Sequence, residues 1–152
     1  MVDRAIQAET ERLTYPAMLP AEIDVWRGWL AKHQGEYERF EYNVRVGPGA
    51  DPGPNYPQSV RDQAILNTQA RIDALAWQGT QATIVEVKDR AGLSAIGQLL
   101  GYEVYWKRAN PNFPPPKTLL VARGLGHGVD AVLTAKGITY ELVTPRKAAA
   151  SQ

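Results

Sequence analysis

The chain has 152 residues, 44% of them hydrophobic and 22% charged, with a formal net charge of +1. That length suits one soluble domain with a real hydrophobic core, and the near-neutral balance means that any surface for a polyanion must be a local patch. The absence of cysteine excludes a disulfide framework, a thiolate zinc site and a cysteine nucleophile.

No apolar run approaches the length needed to span a bilayer, and the opening MVDRAIQAETER is too charged for a secretory signal. An intracellular, cytoplasmic protein is expected, although a cysteine-free chain also suits a virion or a hot environment. Met1 to Thr14 is expected to be a polar helix. LPAEIDVWRGWLAKH places Ile23, Trp26, Leu30 and His33 at helical spacing, with Trp26 and Trp29 expected in the core. RFEYNVRVG, from Arg39 to Gly47, alternates like a strand. Seven of the eleven residues of GPGADPGPNYP are Gly or Pro, so Gly47 to Pro57 is a loop, either a cover for a substrate or a long surface connection. SVRDQAILNTQ holds a short helix or a turn. ARIDALAW and ATIVEVKD, joined by QGTQ, read as a hairpin. LSAIGQLLGYEVYWKRA is the clearest helix and PNFPPP a stiff break. KTLLVARG is nearly continuous in apolar residues, as for a strand buried on both faces. GVDAVLTAKG is a short helix and ITYELV a last strand; the tail TPRKAAASQ is expected to be disordered at its end. The order predicts an α/β fold, a three-layer-like sandwich around a central mixed sheet.

The chemistry concentrates on the hairpin. Branched residues give ATIVEVKD its strand character. Alternation puts Val85 and Val87 on one face and Ile84, Glu86 and Lys88 on the other. In the preceding strand, Arg71, Asp73 and Leu75 share a face opposite Ile72, Ala74 and Ala76. In the natural hairpin register Asp73 sits beside Glu86, and two close carboxylates need a compensating cation. A divalent ion with oxygen ligands supplies one; magnesium is usually held by one or two carboxylates with waters and phosphates. Lys88 would then orient a water or stabilise charge on a phosphate. The plainer reading is a solvated face with a weak ion pair, but Asp is disfavoured inside strands. In the following helix, Leu93, Ile96, Leu100 and Val104 form an apolar stripe. Ser94, Gln98, Tyr102 and Tyr105 form a polar one that can turn back toward the site.

RIDAL, then IVEVK, then QLLGY resembles the PD-(D/E)xK nuclease superfamily, with a Q-x-x-x-Y helix like that of the RecB-type and Cas4-type branch. The resemblance covers Glu22 to Val143. It implies a single domain with a restriction-endonuclease-like core over about 22–143 and a flexible tail over 145–152. It also implies a Mg2+- or Mn2+-dependent hydrolase of DNA phosphodiester bonds, in repair, recombination or phage and mobile-element biology. Carried over, Asp73, Glu86 and the Val87 backbone carbonyl are the metal ligands, and Asp73, Glu86 and Lys88 the catalytic set. Gln98 and Tyr102 contact the substrate strand or steady the site. Arg71, with Arg45, Arg61, Lys88, Arg90, Lys107 and Arg108, supplies a candidate basic track. Products would carry 5′-phosphate and 3′-hydroxyl ends. Ile72 stands where many members have proline. Family members often add a Glu from the first helix, for which Glu22 and Glu36 are candidates; Glu22 is also a natural partner of the helix dipole. A two-fold dimer is the expected arrangement for a small endonuclease cutting both strands. The alternatives are a non-catalytic nuclease-fold module for DNA binding or virion assembly, and a plain α/β interaction protein. GLGHGVD, with His127, reads as a strand-to-helix turn rather than a phosphate loop.

Overall fold

The computed structural model describes residues 15–148. The expected N-terminal helix over Met1–Thr14 and the last four residues of the tail lie outside them. Nine elements follow: α1 (Pro20–Lys32), β1 (Arg39–Val46), α2 (Gln58–Thr68), β2 (Ala70–Gln78), β3 (Gln81–Ala91), α3 (Leu93–Ala109), β4 (Lys117–Leu125), α4 (Val129–Ala135) and β5 (Thr139–Leu142). The strands lie side by side in chain order. β1, β2 and β3 are antiparallel to their neighbours, and β3, β4 and β5 are parallel. Each parallel step carries a helix as its crossover, α3 and α4, as parallel pairing requires. The molecule is an α/β sandwich on a mixed sheet, as expected.

Two apolar cores lie on opposite faces of the sheet. Trp26, Trp29 and Leu30 of α1 pack with Ala74, Ala76, Val85, Val87, Leu119 and Val121. Leu99 and Trp106 of α3 and Leu133 of α4 pack with Leu75, Trp77, Ile84, Leu120 and Ala122. β4 therefore feeds both layers alternately, which is why its centre, Leu119–Ala122, is apolar throughout. Trp26 and Trp29 are fully buried and stack at 4.8 Å between centroids. α1 also carries a close crossing: a side chain at Gly28 would collide with the Thr144 carbonyl oxygen, and the Arg146 N–H donates to the Asp24 carbonyl at 2.8 Å. The chain leaving β5 is thus laid along α1.

Three sequence expectations change. The segment after the Gly/Pro loop is a full helix, α2, with no buried residue. On α3 the buried stripe is Ala95, Ile96, Leu99, Tyr102 and Trp106, whereas Leu93, Leu100 and Val104 are exposed. The helix is rotated so that Tyr102 and Trp106 meet the sheet, because the aromatic rings bury more apolar area than the leucines they displace. Ile72 joins the core of Leu75 and Trp77, not that of Ala74 and Ala76, so strict alternation breaks across Asp73. Opposite it on β1, Asn43 has a φ of 53°. The register skips this pair, passing from Tyr42–Ala74 to Val44–Ile72.

Candidate active site

A fork in the sheet makes the site. β2 and β3 pair from the turn up to Ala74–Val85 and no further. Beyond that point β3 stays with β4, pairing Glu86 with Leu120 and Lys88 with Ala122, while β2 follows β1 through Val46–Ala70. The gap leaves the Val87 N–H without a strand partner. The Asp73 side chain replaces one, its Oδ2 accepting that N–H at 2.9 Å. In an antiparallel pair a residue turns its N–H and C=O to the same side, so the Val87 carbonyl faces the same gap.

Asp73, Glu86, Lys88, Arg71, Gln98, Tyr102 and Glu22 all line one cleft of about 730 Å3. These proposed site members are therefore brought to one place; Val87, proposed through its carbonyl, and Glu36 are not among the lining residues. Glu36 is exposed after α1 and bonds His33. Glu22 is buried, and its Oε1 accepts the Leu19 N–H at 3.0 Å, so it closes the start of α1 while facing the cleft. Of the candidate basic track, only Arg71 and Lys88 reach the cleft; Arg61 is held by Asp51 at 2.6 Å. His127 lies exposed in the turn before α4, where Gly128 takes a φ of 76°.

The Glu86 side chain is 1% exposed. Its Oε1 lies 3.2 Å from Lys88 Nζ, and the Tyr102 hydroxyl nearby acts with Lys88 to lower the carboxyl's value. Its Oε2 is buried without a hydrogen-bond partner. Burial pushes the Glu86 carboxyl up to about 8, with the Asp73 charge adding to the effect. Burial pushes Asp73 up to about 6 against the restraining Val87 N–H and Lys88. The pair thus retains a proton where carboxylates are ordinarily ionised. For Lys88, burial acts to lower the ammonium's value, but the adjacent Glu86 outweighs it and raises it. Burial also raises the Tyr102 hydroxyl above its usual range, keeping it a donor.

Among the described residues no three His, Cys, Asp or Glu side chains gather as a metal site. Two carboxylates, a backbone carbonyl and space for water form instead a donor set made only of oxygen, the chemistry a magnesium-type ion takes. The unpartnered Glu86 Oε2 is where such a cation would compensate buried charge.

No family model matches the chain, and no curated protein matches it. Three solved structures are similar to it. A repair endonuclease from Pyrococcus abyssi is 21% identical over 71% of this chain and 40% of its own, with a TM-score of 0.45. The EndoMS–dsDNA2 complex gives 19% identity over 67% of this chain and 39% of that one, with a TM-score of 0.43. A protein of unknown function gives 13%, 79%, 56% and 0.46 for the same quantities. This chain spans less than two thirds of the length of each of the three.

Proposed function

We propose that the chain is a metal-dependent nuclease of the PD-(D/E)xK type, hydrolysing DNA phosphodiester bonds. The observation that carries this reading is the pairing of buried Glu86 with half-buried Asp73 at the fork of β2 and β3, with Lys88 beside it and one Glu86 carboxylate oxygen left without a partner. A solvated strand face, the plainer account of Glu-x-Lys, does not bury a glutamate to 1% exposure beside a second carboxylate.

Asp73, Glu86 and the Val87 carbonyl would hold magnesium or manganese. When bound, the ion supplies positive charge that acidifies a water and offsets charge on the phosphate. The chain's own groups do the rest. Lys88, 3.2 Å from Glu86, and Tyr102 in the same cleft would steady the Glu86 carboxylate. Lys88, about one-third exposed on the cleft side, orients the attacking water or donates to a non-bridging phosphate oxygen, matching charge that grows in the transition state. Arg71 of β2 and Gln98 of α3, both lining the cleft, position the substrate strand. The water oxygen bonds phosphorus in line and gives up one proton to solvent, the P–O3′ bond breaks, and the 3′ oxygen takes up one proton from solvent, so that the proton count is unchanged.

The test is cleavage of single-stranded, double-stranded and branched DNA with Mg2+ or Mn2+, run for wild type, Asp73→Ala and Lys88→Ala. Wild-type cleavage that falls at least about a hundred-fold in both variants is expected, the scale of a lost catalytic group. A wild type that cuts none of these substrates with either ion contradicts the reading.

A further inference from the structure

The cleft does not end at the carboxylates. A second cavity of about 330 Å3 lies between Gly47–Ala50, Thr68, Ala70 and Tyr105. It shares Ala70 and Tyr105 with the main cleft, so the two adjoin. Their walls differ. The main cleft holds the Arg71, Lys88, Asp73, Glu86 and Glu22 side chains. The second has no charged side chain in its lining and is walled by backbone, small residues and an aromatic ring.

The second cavity is also built in advance. The Ala50 N–H donates to Thr68 Oγ1 at 2.6 Å, and the Gln69 amide donates to the Gly47 carbonyl at 2.7 Å. Arg61 clamps Asp51 through two bonds of 2.9 and 2.6 Å. Gly49 lies so close to α2 that any side chain there would collide with the Ile65 carbonyl. Gly47, with a φ of 89°, lies against the Tyr105 ring, whose nearest atom would be 3.0 Å from an added Cβ. The loop is therefore a wall fastened to α2, and the Tyr105 ring lies against its backbone at Gly47.

We propose that this cavity receives an unpaired nucleobase of the substrate, next to the phosphodiester held at Asp73, Glu86 and Lys88. The proposal rests on the nuclease reading and adds the substrate class: nucleic acid with an unpaired base at the cut. A charged cleft beside an uncharged, ring-bearing cavity matches the alternation of phosphate and base along a strand. Stacking on a fixed aromatic ring is the sequence-tolerant way to hold a base. A base within a fully paired duplex cannot enter, because its ring faces are already stacked. The unpaired base can come from a single strand or be extruded from a duplex.

The experiment measures binding of dye-labelled oligonucleotides by fluorescence anisotropy with Ca2+ in place of Mg2+. The probes are a thymidine 12-mer, the same strand made of abasic sites, a matched duplex and a duplex with one mismatch. The proteins are wild type, Tyr105→Ala, Tyr105→Phe and Ala50→Leu, the last narrowing the cavity without touching the ring. Expected is wild-type affinity for the thymidine strand about ten-fold above that for the abasic strand. That preference should be lost in Tyr105→Ala and Ala50→Leu and kept in Tyr105→Phe. Tighter binding of the mismatched than of the matched duplex assigns the base to extrusion; equal weak binding of both assigns it to a single strand. Equal affinity for thymidine and abasic strands, or an unchanged preference in both Tyr105→Ala and Ala50→Leu, overturns the inference and leaves the nuclease reading standing. No binding of any probe overturns the inference, and the cleavage assay then decides the nuclease reading separately.

Discussion

At the scale of the residue, the central fact is a glutamate placed where ionisation is costly. Glu86 is held by Tyr102 and Lys88 and opposed by Asp73. Its carboxyl, pushed up to about 8 in the fold, binds its proton more tightly there than in the unfolded chain. The pair therefore favours the folded state at low pH. That contribution fades as pH rises from the usual carboxylate range through about 8. In metal-free buffer, wild-type stability is expected to fall between pH 5 and pH 8.5. Glu86→Gln, which cannot ionise, should exceed wild type by about 1–2 kcal/mol at the upper end and lose this advantage at the lower. Urea unfolding at both pH values measures it, and parallel behaviour of the two proteins would refute the electrostatic account. The spacing of Asp73, Glu86 and Lys88 was readable because strand alternation and hairpin register are local rules. What could not be read was that β2 leaves β3 just before Asp73, since nothing in RIDAL marks where pairing stops. The positive φ at Asn43 is the only nearby sign, and asparagine adopts it too readily to signal alone.

At the scale of the element, α1 is fastened at both ends by acid groups. Glu22 closes its start. At its end, His33 bonds Glu36 at 2.7 Å through Nδ1 and Glu141 of β5 at 2.8 Å through Nε2, while its ring stacks on Trp29 at 4.4 Å. Two carboxylates on two ring nitrogens favour the doubly protonated imidazolium. Burial acts to lower the His33 value, but the bonds to Glu36 and Glu141 outweigh it and raise it above 6.5. The clamp is complete below the ordinary histidine range and is lost as pH rises through the raised value. His33→Gln should therefore cost about 1 kcal/mol at pH 6 and clearly less at pH 9; an equal cost at both values, by chemical denaturation, would contradict it. The helices also show the limit of periodicity. The spacing Leu93–Ile96–Leu100–Val104 is a valid helical stripe, yet α3 buries Leu99, Tyr102 and Trp106 instead. A pattern of apolar residues fixes the period of a helix. Which of two overlapping stripes turns inward is decided by the sheet it meets, here by Trp77 of β2 beside Trp106.

At the scale of the whole molecule, the sheet order equals the chain order, which explains why the sequence exposed so much of the fold. Each strand neighbours the next, and both parallel crossovers are announced by an intervening helix. The second cavity was invisible for the opposite reason: it joins the loop after β1, the end of α2 and the far end of α3, which only tertiary packing brings together. No helix among the described residues is long and apolar enough to cross a membrane. Calorimetric titration with Mn2+ asks whether the Asp73–Glu86 pair holds a divalent cation. Saturable binding at one site is expected, with protons released and affinity rising from pH 6 to pH 8 as the cation displaces the proton the pair retains. That binding should disappear in Asp73→Ala. Wild type that takes up no Mn2+ at millimolar concentration, or an Asp73→Ala variant that binds it as wild type does, would contradict the proposed metal site.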